Sequence, residues 1–265
     1  PCYVAKFSPD SKHLYVAEDS TLNIINPFAD TFALVKKIVL HHDVINDFEF
    51  AVNDADIIYS SSDNEMRKWN IKDSILLYTY TDFTKVKSIQ LSKDGKFLSA
   101  VSKDSTIRVN DLFTATTVSK GKIFLEATSK SNSFPSMYAS QSFSPDSKYL
   151  AYPVTKDSFR IVNLVDLYSR KYNIKLSSKS IIRHSLFSND GNDLMITNDG
   201  YDITLLNMKE YDFNKNYRLD DKKIKFYSNS IFTIQFKKDD KELYFFQYGP
   251  DLGIIDLSNG KGNSK

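Results

Sequence analysis

The residues of this chain that are able to bind a metal or transfer a proton are few and widely spaced. There are four histidines, His13, His41, His42 and His184, and one cysteine, Cys2. Only His41 and His42 are neighbours, and no spacing of these residues with carboxylates matches a structural or catalytic zinc site. We therefore predict no metal. Cys2 has no second cysteine to pair with, and its place beside the terminus argues against a catalytic thiol.

Oxygen ligands are more plentiful, because the chain has 33 Asp and Glu residues. Segments 190–193 and 198–202 combine Asp, Asn and Gly, and oxygen-rich turns of this kind are able to bind calcium. Neither segment has the spacing of a recognised calcium loop. Tight turns require the same three residue types, so we interpret both segments as structural turns.

The sequence also offers no cofactor site. It contains no Gly-x-Ser-x-Gly elbow, phosphate-binding loop or dinucleotide fingerprint, and its 8 glycines leave little material for one.

The charge of the chain is nearly balanced, with 35 Lys and Arg against 33 Asp and Glu, so nucleic-acid binding is unsupported. No apolar run is long enough to cross a bilayer, and no signal-peptide pattern is present. We predict no enzyme, no cofactor and no membrane association.

The elements that position these residues repeat along the chain. Six segments begin at an apolar anchor and recur every 41 to 52 residues: Phe7, Phe50, Leu91, Phe143, Phe187 and Phe236. Three residues after the anchor comes Asp or Asn: Asp10, Asn53, Asp94, Asp146, Asp190 and Asp239. Seven residues after it comes Leu or Ile: Leu14, Ile57, Leu98, Leu150, Leu194 and Leu243. Nineteen or twenty residues after it comes Asn or Asp: Asn26, Asn70, Asp111, Asn163, Asn207 and Asp256. This period predicts a β-propeller.

Within each repeat, the offsets indicate a strand that ends at the anchor, a tight turn, a second strand, another turn and a third strand. Apolar residues alternate or run together, as in 231–236, which is typical of strands. We predict an all-β fold in which residues 1–265 form a single β-propeller domain of six recognisable four-stranded blades, with a seventh if the native chain is longer. The predicted repeats are 3–40, 44–80, 85–125, 138–176, 182–227 and 230–257.

Several segments resemble WD-repeat propellers. Residues 61–70, Ser-Ser-Asp-Asn-Glu-Met-Arg-Lys-Trp-Asn, and residues 102–111 look like the third-strand signature of that family. Residues 7–12 and 143–148, both Phe-Ser-Pro-Asp-Ser-Lys, resemble its first hairpin. The resemblance covers nearly the whole chain, although the repeats are degenerate.

The second repeat carries the most specific part of this resemblance. His41, Asp63 and Trp69 match three members of the structural hydrogen-bond network of WD-repeat blades. Trp69 is the only tryptophan, and no other repeat has the complete set. The first repeat is equally similar to bacterial surface-layer-type propellers, so the subfamily stays open.

The resemblance implies a non-catalytic scaffold whose loops bind a protein or peptide. His42, in a predicted exposed crossover, is one candidate contact. Phe134, Met137 and Tyr138 are three more, because they interrupt a polar stretch in the longest gap between anchors. The mixed charges of residues 208–230 predict a solvated hairpin.

Two alternatives to a scaffold remain. An enzyme or small-ligand binder would use the central channel, lined by first-strand residues or their neighbours: Ala5, Phe48, Ser88, Gln141, Arg183 and Thr233. Only Arg183 in that set is charged, which is a poor basis for acid–base catalysis. The likeness to bacterial propellers suggests a periplasmic accessory factor of a redox enzyme.

A single cysteine fits the cytoplasm, which we expect as the compartment unless a leader upstream of Pro1 was removed.

The end of the chain raises a question of closure. We expect that residues 260–265 do not supply a fourth strand to the sixth blade, which would leave a sheet edge unpaired. Three solutions are a longer native chain, a three-stranded last blade, or a strand donated by a partner.

Overall fold

The sheets are known from a computed structural model. It describes residues 2–29, 31–62, 64–80, 83, 85–124, 141–165, 171–175, 182–198, 202–209, 222–225, 231–247, 252–258 and 261–264. All regular structure in these ranges is β-strand. Within them, no helix has the length and apolar character needed to cross a membrane. The all-β fold class is therefore confirmed, and the six four-stranded antiparallel sheets are the blades of a β-propeller.

Residues 1–122 and 123–265 form two compact units. The assignment of residues 1–265 to a single domain stays a prediction.

The first unit contains three blades, in each of which the strands pair in chain order. Blade 1 consists of β1 (Cys2–Phe7), β2 (Leu14–Glu18), β3 (Thr21–Asn26) and β4 (Ala33–Val39). Blade 2 consists of β5 (Asp47–Ala51), β6 (Asp54–Ser61), β7 (Met66–Asn70) and β8 (Ile75–Tyr80). Blade 3 consists of β9 (Val86–Leu91), β10 (Phe97–Ser102), β11 (Thr106–Asp111) and β12 (Thr116–Lys122).

The second unit contains the other three blades, with the same order of strands. Blade 4 consists of β13 (Ser142–Phe143), β14 (Tyr149–Thr155), β15 (Ser158–Asn163) and β16 (Lys171–Lys175). Blade 5 consists of β17 (Ile182–Phe187), β18 (Asp193–Asn198), β19 (Asp202–Asn207) and β20 (Lys222–Lys225). Blade 6 consists of β21 (Ile231–Phe236), β22 (Glu242–Gln247), β23 (Leu252–Asp256) and β24 (Lys261–Ser264).

The repeat offsets correspond to fixed points of each blade. The anchor is the last residue of the first strand in five blades and the penultimate residue in blade 2. The Asn or Asp nineteen or twenty residues later is the last residue of every third strand. The predicted three-strand core of each repeat is therefore confirmed.

A serine and an aspartate close the first turn of four blades in the same way. In blade 3, the Ser92 hydroxyl donates to Asp94 Oδ1 at 2.6 Å, and the Lys96 N–H donates to the same oxygen at 3.0 Å. Gly95 has a φ of 72°, which a side chain disfavours. The equivalent serine-to-aspartate bonds join Ser8 to Asp10, Ser144 to Asp146, and Ser188 to Asp190.

Asp190 is one of two acidic residues in segment 190–193, the first segment considered as a calcium site, and its oxygens accept hydrogen bonds within its own turn. The backbone N–H of Asn192 donates to Asp190 Oδ1 at 2.9 Å, and this bond is the main cause that lowers the carboxyl pKa. The geometry agrees with a structural turn. The second such segment, 198–202, lies partly outside the described residues.

The sixth blade corrects the expectation about its fourth strand. Residues 261–264 form β24, which pairs with β23 from Asp256 opposite Lys261 to Gly253 opposite Ser264. The expectation was wrong because a strand of four residues is long enough to pair with most of the five-residue third strand β23. The polar, glycine-containing composition misled us, since an outer strand has one exposed edge and needs few apolar side chains.

Apolar cores lie between neighbouring blades within each unit. One core of the first unit joins Leu22 and Ile24 of blade 1 to Phe48, Ile58 and Trp69 of blade 2. In the second unit, one core joins blades 4 and 5 and another joins blades 5 and 6. Within each unit, neighbouring blades thus bury apolar side chains against one another, which is how propeller blades pack.

Candidate functional site

A buried polar contact connects the crossover after blade 1 to the middle of blade 2. His41 lies in this crossover and is 1% exposed. Its Nε2 is 2.8 Å from the hydroxyl of Ser60 on β6. Trp69 is also buried, and the described residues provide no hydrogen-bond acceptor for its Nε1. Asp63 lies outside the described residues, so the three-residue network stays a prediction.

His41 is electrostatically held in its neutral form. Burial, with a smaller contribution from the Arg67 guanidinium, lowers the pKa of His41 to about 4 against the opposing effect of Glu65. Arg67 pairs with Glu65 at 2.5 Å and donates through Nη1 to the Leu40 carbonyl at 2.7 Å. At neutral pH the imidazole is therefore an uncharged structural group, and the arginine fixes the crossover beside it.

The structure describes only one of the four predicted partner contacts. His42 is exposed next to buried His41. Phe134, Met137 and Tyr138 lie outside the described residues, so all four stay predictions. Within the predicted hairpin 208–230, Lys222–Lys225 forms β20 and pairs with β19, and most other positions lie outside the described residues.

The first strands of the first unit carry a charged cluster that the sequence analysis missed. The ammonium of Lys6 on β1 lies 3.1 Å from Asp47 Oδ1 and 2.8 Å from Glu49 Oε1 on β5. Asp47 Oδ2 accepts the backbone N–H of Ile89 on β9 at 2.9 Å. Asp47 therefore ties together three consecutive blades.

Burial shapes the acid–base properties of this cluster. It lowers the pKa of Lys6, but the attraction of Asp47 and Glu49 exceeds this effect, so the net pKa is raised. Burial raises the pKa of Glu49 despite the nearby ammonium. Phe48 is fully buried in the core, whereas its neighbours Asp47 and Glu49 belong to the charged cluster, so the channel lining stays a prediction.

The outer strands of blades 1 and 2 expose an unusual amount of apolar surface. We define the outer apolar surface as Phe28, Phe32, Leu34, Val35, Ile75, Leu76, Leu77 and Tyr78, whose exposed fractions range from 40% to 75%. The exposed areas of these eight residues, summed over both faces of the strands, come to roughly 900 Å², and the largest patch on a typical monomer measures about 300 to 600 Å². The signal was visible in the sequence as the uncharged run 75–80, which we interpreted only as a strand.

A hydrogen-bonded lysine joins the two halves of the outer apolar surface. Lys36, on β4, donates through Nζ to the carbonyls of Ile71 at 3.0 Å and Lys72 at 2.6 Å. These carbonyls belong to the turn that leads into β8. Lys36 therefore connects β4 to the turn that precedes β8.

Groups that suit a metal ion are absent from the described part of the chain. No three His, Cys, Asp or Glu side chains are grouped there so that they could hold one. The charged cluster has two carboxylates and an ammonium, an arrangement that forms ion pairs among its own members.

Part of the chain is similar to a known protein family. The family described as WD domain, G-beta repeat matches residues 74–111, from the outer strand of blade 2 to the third strand of blade 3. No curated protein matches the chain. The matched segment has the expected strand order, and the six blades share its architecture. Residues 74–111 are therefore similar to a WD repeat, and the resemblance of the other repeats rests on the strand order that they share with it.

Proposed function

We propose that this chain is a non-catalytic scaffold of WD-repeat type that binds other proteins or peptides. WD-repeat domains generally mediate protein interactions. The observation that carries the proposal is the outer apolar surface, because exposed apolar patches of this size mark sites of protein association. A large apolar side chain at the centre of an interface contributes about 2 kcal/mol or more.

The crossovers supply a second set of proposed contacts. His42 is exposed beside the rigid His41 contact, and a scaffold commonly presents such residues on well-ordered supports. Phe134, Met137 and Tyr138 keep their proposed role on the basis of sequence alone. We propose the cytoplasm as the compartment, because one cysteine suits a reducing environment.

The scaffold proposal is tested by quantitative affinity purification from the native host. Tagged wild-type chain is compared with Leu34→Glu, on the outer apolar surface, and with Val165→Glu, an exposed valine elsewhere. We expect proteins enriched by the wild type to be lost with Leu34→Glu and kept with Val165→Glu. If both variants keep every enriched protein, the outer apolar surface is not the binding site.

The crossover contacts need a separate variant set. Alanine at Phe134, Met137 and Tyr138 together is expected to weaken binding of at least one enriched protein. An unchanged set of partners would remove this segment from the proposal without affecting the outer apolar surface.

A second candidate function is binding of a small ligand at the charged cluster. Lys6 faces two carboxylates, so the formal charge of the cluster is negative and favours a small cationic ligand. Thermal-shift titration with spermidine tests this function, with Glu49→Gln as the variant expected to abolish any shift. The absence of a shift in the wild type would refute it.

A further inference from the structure

The outer strands of the blades differ in how they limit association at their exposed edges. Lysine on an edge strand is one common protection against pairing with another chain. Each of β4, β12, β16, β20 and β24 contains lysine, whereas β8 has the sequence Ile-Leu-Leu-Tyr-Thr-Tyr, without charge, proline or glycine. Blade 2 therefore lacks a device that every other blade has.

The fold does not require this apolar sequence. Blade 3 has Thr116 and Thr117 where blade 2 has Ile75 and Leu76, because each pair lies opposite the last two residues of its third strand. Both threonines are exposed, and β12 forms nonetheless. The apolar residues of β8 thus serve something other than the stability of the blade.

Bulges determine how another molecule is able to contact these strands. Val35 and Leu77 have no partner in the pairing of β4 with β3 and of β8 with β7, since the register shifts by one residue there. A bulge bends an edge strand and interrupts the spacing of its free hydrogen-bonding groups. The outer apolar surface is therefore suited to packing through side chains and not to continuation of the sheet.

We propose that the outer apolar surface is the interface of a twofold homodimer, in which it packs against the same surface of a second copy. This inference rests on the proposed protein-binding function and names the partner. The roughly 900 Å² that these residues expose on each copy is the most that they can bury, and it is comparable with the 800 Å² per partner of a standard stable interface.

The chemistry of the surface favours a second copy over an occasional partner. Homodimer interfaces are more apolar than those of proteins that also exist free, because the latter must stay stable in water when unbound. All eight residues of the outer apolar surface are uncharged, so a twofold axis brings no like charges of that set together. Lys36, which connects its two halves, is already bound to two carbonyls.

Sedimentation of the full chain over about 1 to 100 µM tests the proposal, a range chosen for an interface of micromolar affinity or better. We expect a species of twice the 30.4 kDa chain mass. The double variant Ile75→Thr and Leu76→Thr copies blade 3 and should keep the fold, as checked by circular dichroism. It is expected to weaken dimerisation at least about 30-fold, and Leu77→Glu more strongly.

Val165→Glu is the matched control, because Val165 is exposed to a similar degree but lies outside the surface. It is expected to dimerise like the wild type. A wild-type chain that stays monomeric over the whole range, or that forms open-ended aggregates, overturns the homodimer. So does a dimer unaffected by Leu77→Glu. Loss of host proteins from a monomeric chain on Leu34→Glu would still support the scaffold, so the two proposals fail separately.

Discussion

The neutral state of buried His41 predicts a specific dependence of stability on pH. The folded chain holds the pKa of His41 at about 4, compared with 6.5 for the free side chain. Between these values the unfolded chain binds a proton that the folded chain does not, so the free energy of unfolding falls as the pH is lowered. Above about pH 6.5 this contribution is constant, and below about pH 4 it levels off.

The size of the effect follows from the pKa difference. Each pKa unit corresponds to about 1.4 kcal/mol, so His41 lowers the free energy of unfolding by about 3 kcal/mol between pH 7 and pH 4. The full difference applies because the His41 side chain is fully buried. Other groups titrate in the same range, which makes a comparison between variants necessary.

His41→Gln isolates this contribution. The variant loses the contact with Ser60 and is expected to be less stable than the wild type by about 2 kcal/mol at pH 7. Glutamine does not titrate, so the difference between the two proteins should shrink as the pH falls, and near pH 4.5 it should vanish or reverse. Trp69 is the single tryptophan and lies in the neighbouring strand β7, so its fluorescence in urea titrations follows blade 2.

Ser60→Ala is the matched control for this comparison. It removes the hydrogen bond but leaves the imidazole buried, so it should cost about 1 kcal/mol and keep the steep fall of stability toward pH 4. The reasoning is refuted if the difference between wild type and His41→Gln is constant from pH 7 to pH 4.5. That outcome would mean that His41 titrates alike in the folded and unfolded chain.

Three further substitutions test the packing of the blades. Asp47→Ala leaves the Lys6 ammonium with one carboxylate and the Ile89 N–H without its acceptor. It is expected to lower the free energy of unfolding in urea by about 3 kcal/mol. A decrease below about 1 kcal/mol would contradict the role of Asp47 in joining the blades. At Gly253 a Cβ would overlap the ring of Phe245, so Gly253→Ala should cost about 3 kcal/mol or more, and Phe245→Leu in the same chain should recover part of it. Additive losses in that double-mutant cycle would argue against the overlap. Gly95→Ala should cost about 1 kcal/mol in thermal unfolding because φ is 72°, and no loss would show that the turn relaxes.

The sequence predicted the blades well because their pattern is local. Strand ends and turns depend on residues a few positions apart, and the turn Asp or Asn, such as Asp94, recurs at a fixed offset in every repeat. The fourth strands were harder, because an outer strand needs few apolar residues. For that reason Lys261–Ser264 was wrongly excluded from the sixth blade.

The candidate sites were less accessible to sequence reasoning because they join different repeats. Lys6 and Glu49 are 43 positions apart, and nothing in either repeat indicates that their side chains meet. For the contact of His41 with Ser60, the sequence indicated only the histidine, because a serine in a strand has no distinctive pattern. The outer apolar surface was missed because apolar residues in a strand are usually assigned to the core.

The seam between blades 1 and 2 connects these sites. The apolar core between blades 1 and 2 supplies most of the burial. Apolar contacts are not directional, so by themselves they would allow one blade to shift along the other. Polar ties fix the register along the seam, from Lys6 with Asp47 on the first strands, through Arg67 with the Leu40 carbonyl, to Lys36 with the Ile71 carbonyl on the outer side. These three polar contacts, which lie between the first strands and the outer side of the blades, hold β4 and β8 in one relative position. The outer apolar surface depends on that position, because a second copy is able to bury both strands at once only if they do not move independently.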